Sequence, residues 1–158
     1  MAHSLCKEPG RRWLTVRGES TSPATVPQDE PGPVSVPAVA IDPRGTDLKG
    51  FLQEDPGGPV VMLNLLRFAD GGRESYAEYA RALSETFLPR YGGEVLYAGN
   101  GGTPLVAEQG QDWDAVLLVR YPNREAFSRM VADPEYQQVT HLRTQALTEA
   151  VLQPTTAW

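Results

Sequence analysis

From Thr46 onward the chain holds one histidine, His141, and imidazole is the side-chain type whose ordinary pKa suits proton transfer near neutrality. His141 is therefore the first candidate for moving a proton, with a surface histidine that has found a partner as the alternative reading. Asn64 is the second. It interrupts "PVVMLNLLRF" (Pro59 to Phe68), one of the most apolar stretches of the chain. A buried amide costs a few kcal/mol unless hydrogen-bonded, so Asn64 either satisfies nearby backbone or faces a pocket. Tyr76 and Tyr79 offer phenols able to donate to a carbonyl or enolate oxygen, although an aromatic stripe at helical spacing equally describes core. Arg67 could hold a substrate carboxylate bidentately or pair with Asp70 or Glu74. Trp113 is placed to wall a cavity, beside Asp114, which suits holding a turn. Arg143 follows His141 by two positions, about 200° around an ideal helix. Only one of them can point into a pocket, and Tyr136, Thr140 and Arg143 share a face more closely than His141 does.

Other chemistries are excluded by what the sequence lacks. There is no G-x-S-x-G elbow and no P-loop, and Gly99-Asn100-Gly101-Gly102 follows a short strand without opening a helix, so it reads as a turn and not a dinucleotide fingerprint. The lone cysteine, Cys6, forms no internal disulfide, and with so few soft ligands no metal site is expected. An axial-histidine haem would rest on His141 alone. No cofactor is expected. The net charge of −6 argues against a nucleic-acid partner, because phosphate binding relies on lysine and arginine. No run of 18 apolar residues exists, so no membrane span is expected. "GRRWLTVRG" echoes a twin-arginine export signal, but Arg17, Gly18, Glu19 and Ser20 stand where its apolar stretch belongs. A reducing cytoplasm is the expected location.

The elements that must position these residues follow from periodicity and caps. Residues 1–45 hold seven of the fourteen prolines, and positions 1–39 read as a disordered Pro-rich extension preceding a single domain at 40–158. Thr46 is the expected cap of a short helix bearing Leu48, Phe51 and Leu52. After the strand containing Asn64, Ser75 to Glu78 matches a capping box, which predicts a helix over about 75–91 with Tyr76, Tyr79, Leu83 and Phe87 on one side. "EVLYAG" and "TPLVAE" around Asn100-Gly101 read as a hairpin. "WDAVLLVRY" is a buried strand. Asn123 caps a helix to about Val131, and Asp133-Pro134 caps a longer one through "EYQQVTHLRTQALTEA". "VLQPTT" is the last strand.

The order is βαββαβ: a ferredoxin-like α+β fold with an antiparallel sheet and both helices on one face. Both faces of the strands are apolar. Leu63 and Leu65 alternate with Met62, Asn64 and Leu66, and Leu117 and Val119 alternate with Val116 and Leu118. Helices cover one face, and a second subunit related by a two-fold axis is the expected covering of the other. On this reading one face of the Asn64 strand packs on helices while the other lines a cavity.

"PVVMLNLLRF", "SYAEYARA", "YGGEVLYAG", "WDAVLLVRYPNREAF" and "ADPEYQQVTHLRTQAL", in this order over roughly residues 40–156, resemble the proteins grouped as domain of unknown function 1330, of the dimeric α/β-barrel superfamily. The resemblance implies a ferredoxin-like protomer that pairs sheet to sheet, with a cavity between helices and sheet or within the dimer. The wider superfamily includes cofactor-free monooxygenases, lactone isomerases, polyketide cyclases, haem enzymes and plain binders. Two functions are carried forward. One is a small cofactor-independent isomerase, cyclase or monooxygenase acting on a hydrophobic carbonyl or aromatic metabolite, with His141, Asn64 and Tyr79 as catalytic candidates and Arg67, Tyr76, Trp113 and Arg143 as binding ones. The other is a non-catalytic dimer that binds a small apolar ligand or a protein.

Overall fold

A computed structural model describes residues 41–158, so the Pro-rich extension expected at 1–39 lies outside the described residues. The described chain runs α1 (Gly45–Gln53), β1 (Val60–Phe68), α2 (Gly72–Ala82), a π-helical turn (Leu83–Phe87), α3 (Leu88–Tyr91), β2 (Glu94–Asn100), β3 (Ala115–Tyr121), α4 (Arg124–Ala132), α5 (Pro134–Ala146) and β4 (Leu147–Thr155). The strands form one sheet in the order β2-β3-β1-β4 with every neighbouring pair antiparallel. This is the ferredoxin-like order, and the βαββαβ reading holds.

Side chains alternate across a strand, and the alternation in β1 sorts the two faces. Val60, Met62 and Leu66 are buried. Val60 and Met62 share a core cluster with Tyr79, Phe87, Phe127, Met130 and Tyr136, and therefore face the helices. Leu66, at 0% exposure, packs in a second cluster with Ala146 and Leu147, where α5 passes into β4. The opposite face carries Val61, Leu63 and Leu65 with Val116 and Leu118, all half-buried, and beside them Tyr97 at 55% exposure.

Local chemistry explains where the helices start. Asn123 accepts from the Ala126 amide at 2.7 Å and Asp133 from the Glu135 amide at 2.8 Å, so both expected caps are present. The expected capping box at Ser75 is not the helix start. Gly71 adopts the left-handed conformation (φ 72°) and α2 opens at Gly72, where a Cβ would stand 2.1 Å from the Ala146 carbonyl oxygen. A close approach to the end of α5 thus fixes the entry of α2 earlier than the serine signal placed it. Nor does Thr46 cap α1. Arg44 is the cap residue, and its amide donates to the Asp47 carboxylate at 2.9 Å.

Two further expectations are corrected. "TPLVAE" is not a strand: residues 101–114 form a loop, Leu105 and Val106 are fully exposed, and β2 pairs with β3 instead. The Gly101 amide donates to the Asp114 carbonyl at 2.9 Å and closes this loop, so Asn100-Gly101 ends a strand without turning a tight hairpin. The long helix stops at Ala146, and Leu147 to Ala150, read as its last turn, belong to β4 because they pair with β1.

Candidate functional site

A cavity of about 150 Å³ lies between the sheet and the helices. β1 contributes Met62 and Asn64, β3 contributes Leu117, Val119 and Tyr121, and β4 contributes Leu152. α2 supplies Tyr76 and Tyr79, and α5 supplies Tyr136, Thr140 and Arg143. Tyr136, Thr140 and Arg143 recur at four and three residues, which puts them on one helical stripe. Leu83, the first residue of the π turn, also reaches the cavity. Such turns recur at functional sites because the extra residue re-aims the side chains around it.

Asn64 lies on the same side of β1 as Met62 and Leu66, so the cavity opens on the helix face of the strand. This corrects the expectation that helices and cavity take opposite faces. The Asn64 Nδ2 donates to the Met62 carbonyl at 3.2 Å, a contact within its own strand, while the side chain also borders the cavity. The two readings of Asn64 hold together.

Four phenols crowd the site. The hydroxyls of Tyr79 and Tyr136 lie 2.7 Å apart, and either can donate. Two phenolic hydrogens with one bond between them leave one O–H free to donate elsewhere. Tyr76 stacks obliquely on Tyr79 with ring centres 5.6 Å apart. Burial raises all four phenol pKa values. Tyr76 reaches about 12, Tyr79 and Tyr121 are pushed well above the usual phenol value, and Tyr136 rises as well. The charge of Arg143 pulls Tyr76, Tyr79 and Tyr136 partly back, which shows that its field reaches them. At neutral pH these phenols are protonated donors, unfit as bases.

Among the described residues Arg143 is the one cation in the cavity lining, and it is 4% exposed. Its Nη1 donates to the Ile41 carbonyl and to Asp42 Oδ1, the latter at 2.6 Å. Its Nη2 is out of contact with solvent and has no hydrogen-bond partner among the described residues. An unpartnered charged donor beside a cavity is costly unless something fills the vacancy. Asp42 borders the cavity too, and its Oδ2 accepts from Thr144 Oγ1 at 2.7 Å. Among the described residues no charged side chain other than Arg143 and Asp42 lines the space.

The remaining candidates fall outside it. His141 is exposed on the outer side of α5, with Nδ1 2.8 Å from the Gln138 carbonyl, and does not line the cavity. The helix geometry that turns Arg143 inward turns His141 out, so the proton-carrier candidate stands apart from this cavity. Arg67 points to the far face of the sheet. Its partners are Glu149 and Asp112, each at 3.2 Å, and the Gly110 carbonyl at 2.9 Å, in place of Asp70 or Glu74. Trp113 lies against it, 5.2 Å from guanidinium carbon to ring centre, and does not line the cavity between sheet and helices. Asp114 ties the start of β3 to the end of β1, accepting from the Phe68 amide at 2.8 Å, in place of a neighbouring turn. Sequence reasoning missed Asp42, which sits in a Pro-rich stretch far from α5. A second buried arginine, Arg124, fastens α1 by donating to the Phe51 carbonyl at 2.6 Å. Among the described residues no cluster of histidine, cysteine, aspartate or glutamate could hold a metal ion, and no helix is long and apolar enough to cross a membrane.

The sheet order defines a ferredoxin-like α+β protein, and the cavity leaves room for a small ligand between sheet and helices. The chain belongs to the family described as Domain of unknown function (DUF1330), which matches residues 66–153. It is similar to a protein of unknown function from Rhodopseudomonas palustris, at 31% identity over 76% of this chain and 98% of that one, with a TM-score of 0.68. A methylated form of that protein gives 32% identity over 77% and 96%, with the same TM-score. A cofactor-independent oxygenase from Streptomyces nogalater is more distant, at 22% identity over 64% and 94% and a TM-score of 0.44. No curated protein matches the sequence.

Proposed function

We propose that the protein is a small cofactor-independent enzyme that binds a hydrophobic carbonyl or aromatic compound in the tyrosine-lined cavity and polarises one of its oxygens. One observation carries the reading: a cavity of about 150 Å³ is lined by four tyrosines with the buried Arg143 beside them. A ligand oxygen in the cavity would accept from the phenol hydrogen that the Tyr79–Tyr136 pair leaves free, and the charge of the buried Arg143 beside it favours an oxygen on which negative charge develops. Fixed donors aimed at an oxygen where charge develops favour enolate-forming steps, which isomerases and cyclases share. Four large aromatic rings suit a flat ligand.

The half-buried apolar face of the sheet opposite the helices supports a homodimer, with Leu63, Leu65, Val116 and Leu118 meeting the same patch of a second copy. That face is separate from the cavity. Plain ligand binding without catalysis has one observation in its favour, the position of His141 outside the cavity.

Thermal shift tests the binding that both readings need. A ligand that binds only the folded state stabilises it by about 2.7 kcal/mol at a hundredfold excess over its dissociation constant. Ring ketones, enols and aryl acids should separate into stabilising and inert classes, and aliphatic amines should be inert. A flat response to every oxygen-bearing ring compound would refute the proposal. Turnover of a stabilising compound separates the enzyme from the binder.

A further inference from the structure

Two buried arginines hold one segment of the chain onto the rest. The segment runs from Ile41 through α1, and its Asp42 and Pro43 form part of the cavity lining. Near its start Arg143 donates to the Ile41 carbonyl and to Asp42 Oδ1, and Thr144 donates to Asp42 Oδ2 at 2.7 Å. Near its end Arg124 donates to the Phe51 carbonyl at 2.6 Å and lies over the Phe51 ring, 4.6 Å from its centre. Between these fastenings packing is thin. No residue of α1 is buried, and beneath it lies a second hollow of about 320 Å³, more open to solvent than the cavity. Pro43, Met62, Phe127 and Leu152 border both spaces and so form the partition between them. Of these four only Pro43 belongs to the segment. After α1 the chain passes through exposed residues 54–59, where Gly57 and Gly58 take left-handed angles (φ 83° and 82°) that glycine adopts without strain.

We infer that residues 41–53 form a lid over the cavity, latched by Asp42 on Arg143 and hinged at Gly57-Gly58, and that lifting it joins the two hollows into one passage to the ligand site. The fastenings are few and directional, and they end on α4 and α5, which stay packed on the sheet. Leu48 and Phe51 are the lid's apolar anchors against the core, and both are only half-buried. Elements with so little buried apolar surface open at lower free energy than core strands do. The latch itself is within reach of water, because the Asp42 side chain is 38% exposed, so solvent can take over its hydrogen bonds as the lid lifts. A short loop whose glycines absorb the change of backbone angle is the usual form of such a hinge. The lid serves the binding site proposed above, yet its opening is measurable with no ligand present.

The test reads thiol access by iodoacetamide alkylation and mass spectrometry on the full chain, with Cys6→Ser as background. Met62→Cys reports on the partition. Val60→Cys, at a position 1% exposed that borders neither hollow, reports on global unfolding. Where reclosing outruns the reagent, each rate measures the population of the state that exposes the thiol. Met62→Cys should react more slowly than an unfolded thiol but faster than Val60→Cys, and it should change little in low urea, where Val60→Cys accelerates steeply. Adding Asp42→Ala should speed Met62→Cys by about tenfold or more, the worth of hydrogen bonds to a charged group. Val119→Cys, in the cavity wall at 4% exposure, takes the place of Met62→Cys if that variant melts early. Equal rates and equal urea dependence for the two thiols would show that the segment leaves only when the whole fold does, and would overturn the lid. Reaction of Met62→Cys at the rate of an unfolded thiol would overturn it by showing the passage already open. A rate indifferent to Asp42→Ala would overturn the latch, since the opening would then leave Asp42 in place.

Discussion

The two faces of one sheet treat arginine in opposite ways. On the face away from the helices each of the three Arg67 nitrogens has a partner, two carboxylates and a backbone carbonyl, and the Trp113 ring lies against the guanidinium. On the helix face Arg143 is more deeply buried and yet incomplete, its Nη1 engaged by the chain and its Nη2 by nothing among the described residues. Arg67 is a fastener that ties β1 to β4 and to the loop 101–114. Arg143 has donor capacity to spare beside a cavity. Residue type and sequence setting made the two look alike, and what separates them is the count of satisfied hydrogens.

The sharpest way to separate the faces is to cut neighbouring leucines. Leu66→Ala, at 0% exposure on the helix side, should destabilise the chain by about 2–5 kcal/mol, read from the urea midpoint. Its neighbour on the other face, Leu65, is half-buried, and Leu65→Ala should cost less and show a midpoint that depends on protein concentration if that face meets a second copy. Light scattering on the wild-type chain should give twice the 17.3 kDa mass, and Leu118→Asp should return it to the single mass. A clean wild-type monomer would remove the pairing of subunits and leave the cavity untouched.

Smaller effects lie inside the cavity. Tyr79→Phe and Tyr136→Phe each remove one partner of the buried hydroxyl pair and should each destabilise by about 1 kcal/mol. The double variant should cost less than the sum, since the second change has no bond left to break. Alkaline stability supplies a further check. Because burial raises the Tyr76 pKa to about 12, the folded chain holds that proton more tightly than the unfolded chain does. Its stabilising contribution is complete below about pH 10, the unperturbed phenol value, and is lost as pH rises through about 12. Urea midpoints should fall across that window, and Tyr76→Phe should flatten the fall.

Much of this frame is legible in the sequence because it depends on local chemistry. The caps at Asn123 and Asp133 work through side chains two or three residues from the amides they hold, and the apolar alternation of β1 and β3 fixes both faces. The stripe of Tyr136, Thr140 and Arg143 follows from helical spacing alone, and it is this stripe that the cavity uses. What was not legible depends on contacts distant along the chain. Asp42 meets Arg143 across 101 positions, and no local pattern marks it. Gly72 must be a glycine because of Ala146, so Ser75 offers a capping signal at a place where the helix has already begun. Asn100-Gly101 has hairpin chemistry, but Gly101 bonds Asp114 and the chain between them makes a long loop. His141 drew notice for its chemistry alone, while the geometry of α5 decides which way it points.

Calorimetric titration of a ring ketone, enol or aryl acid that stabilises the wild-type chain in the thermal-shift screen, into wild type, Arg143→Met and Arg67→Met, tests the central contrast most directly. The incomplete arginine should matter and the fully partnered one should not. Arg143→Met is expected to weaken binding by about tenfold or more, in keeping with the loss of a buried positive charge beside the cavity, while Arg67→Met binds as the wild type does. Equal binding by wild type and Arg143→Met, or loss of binding on Arg67→Met, would contradict the account.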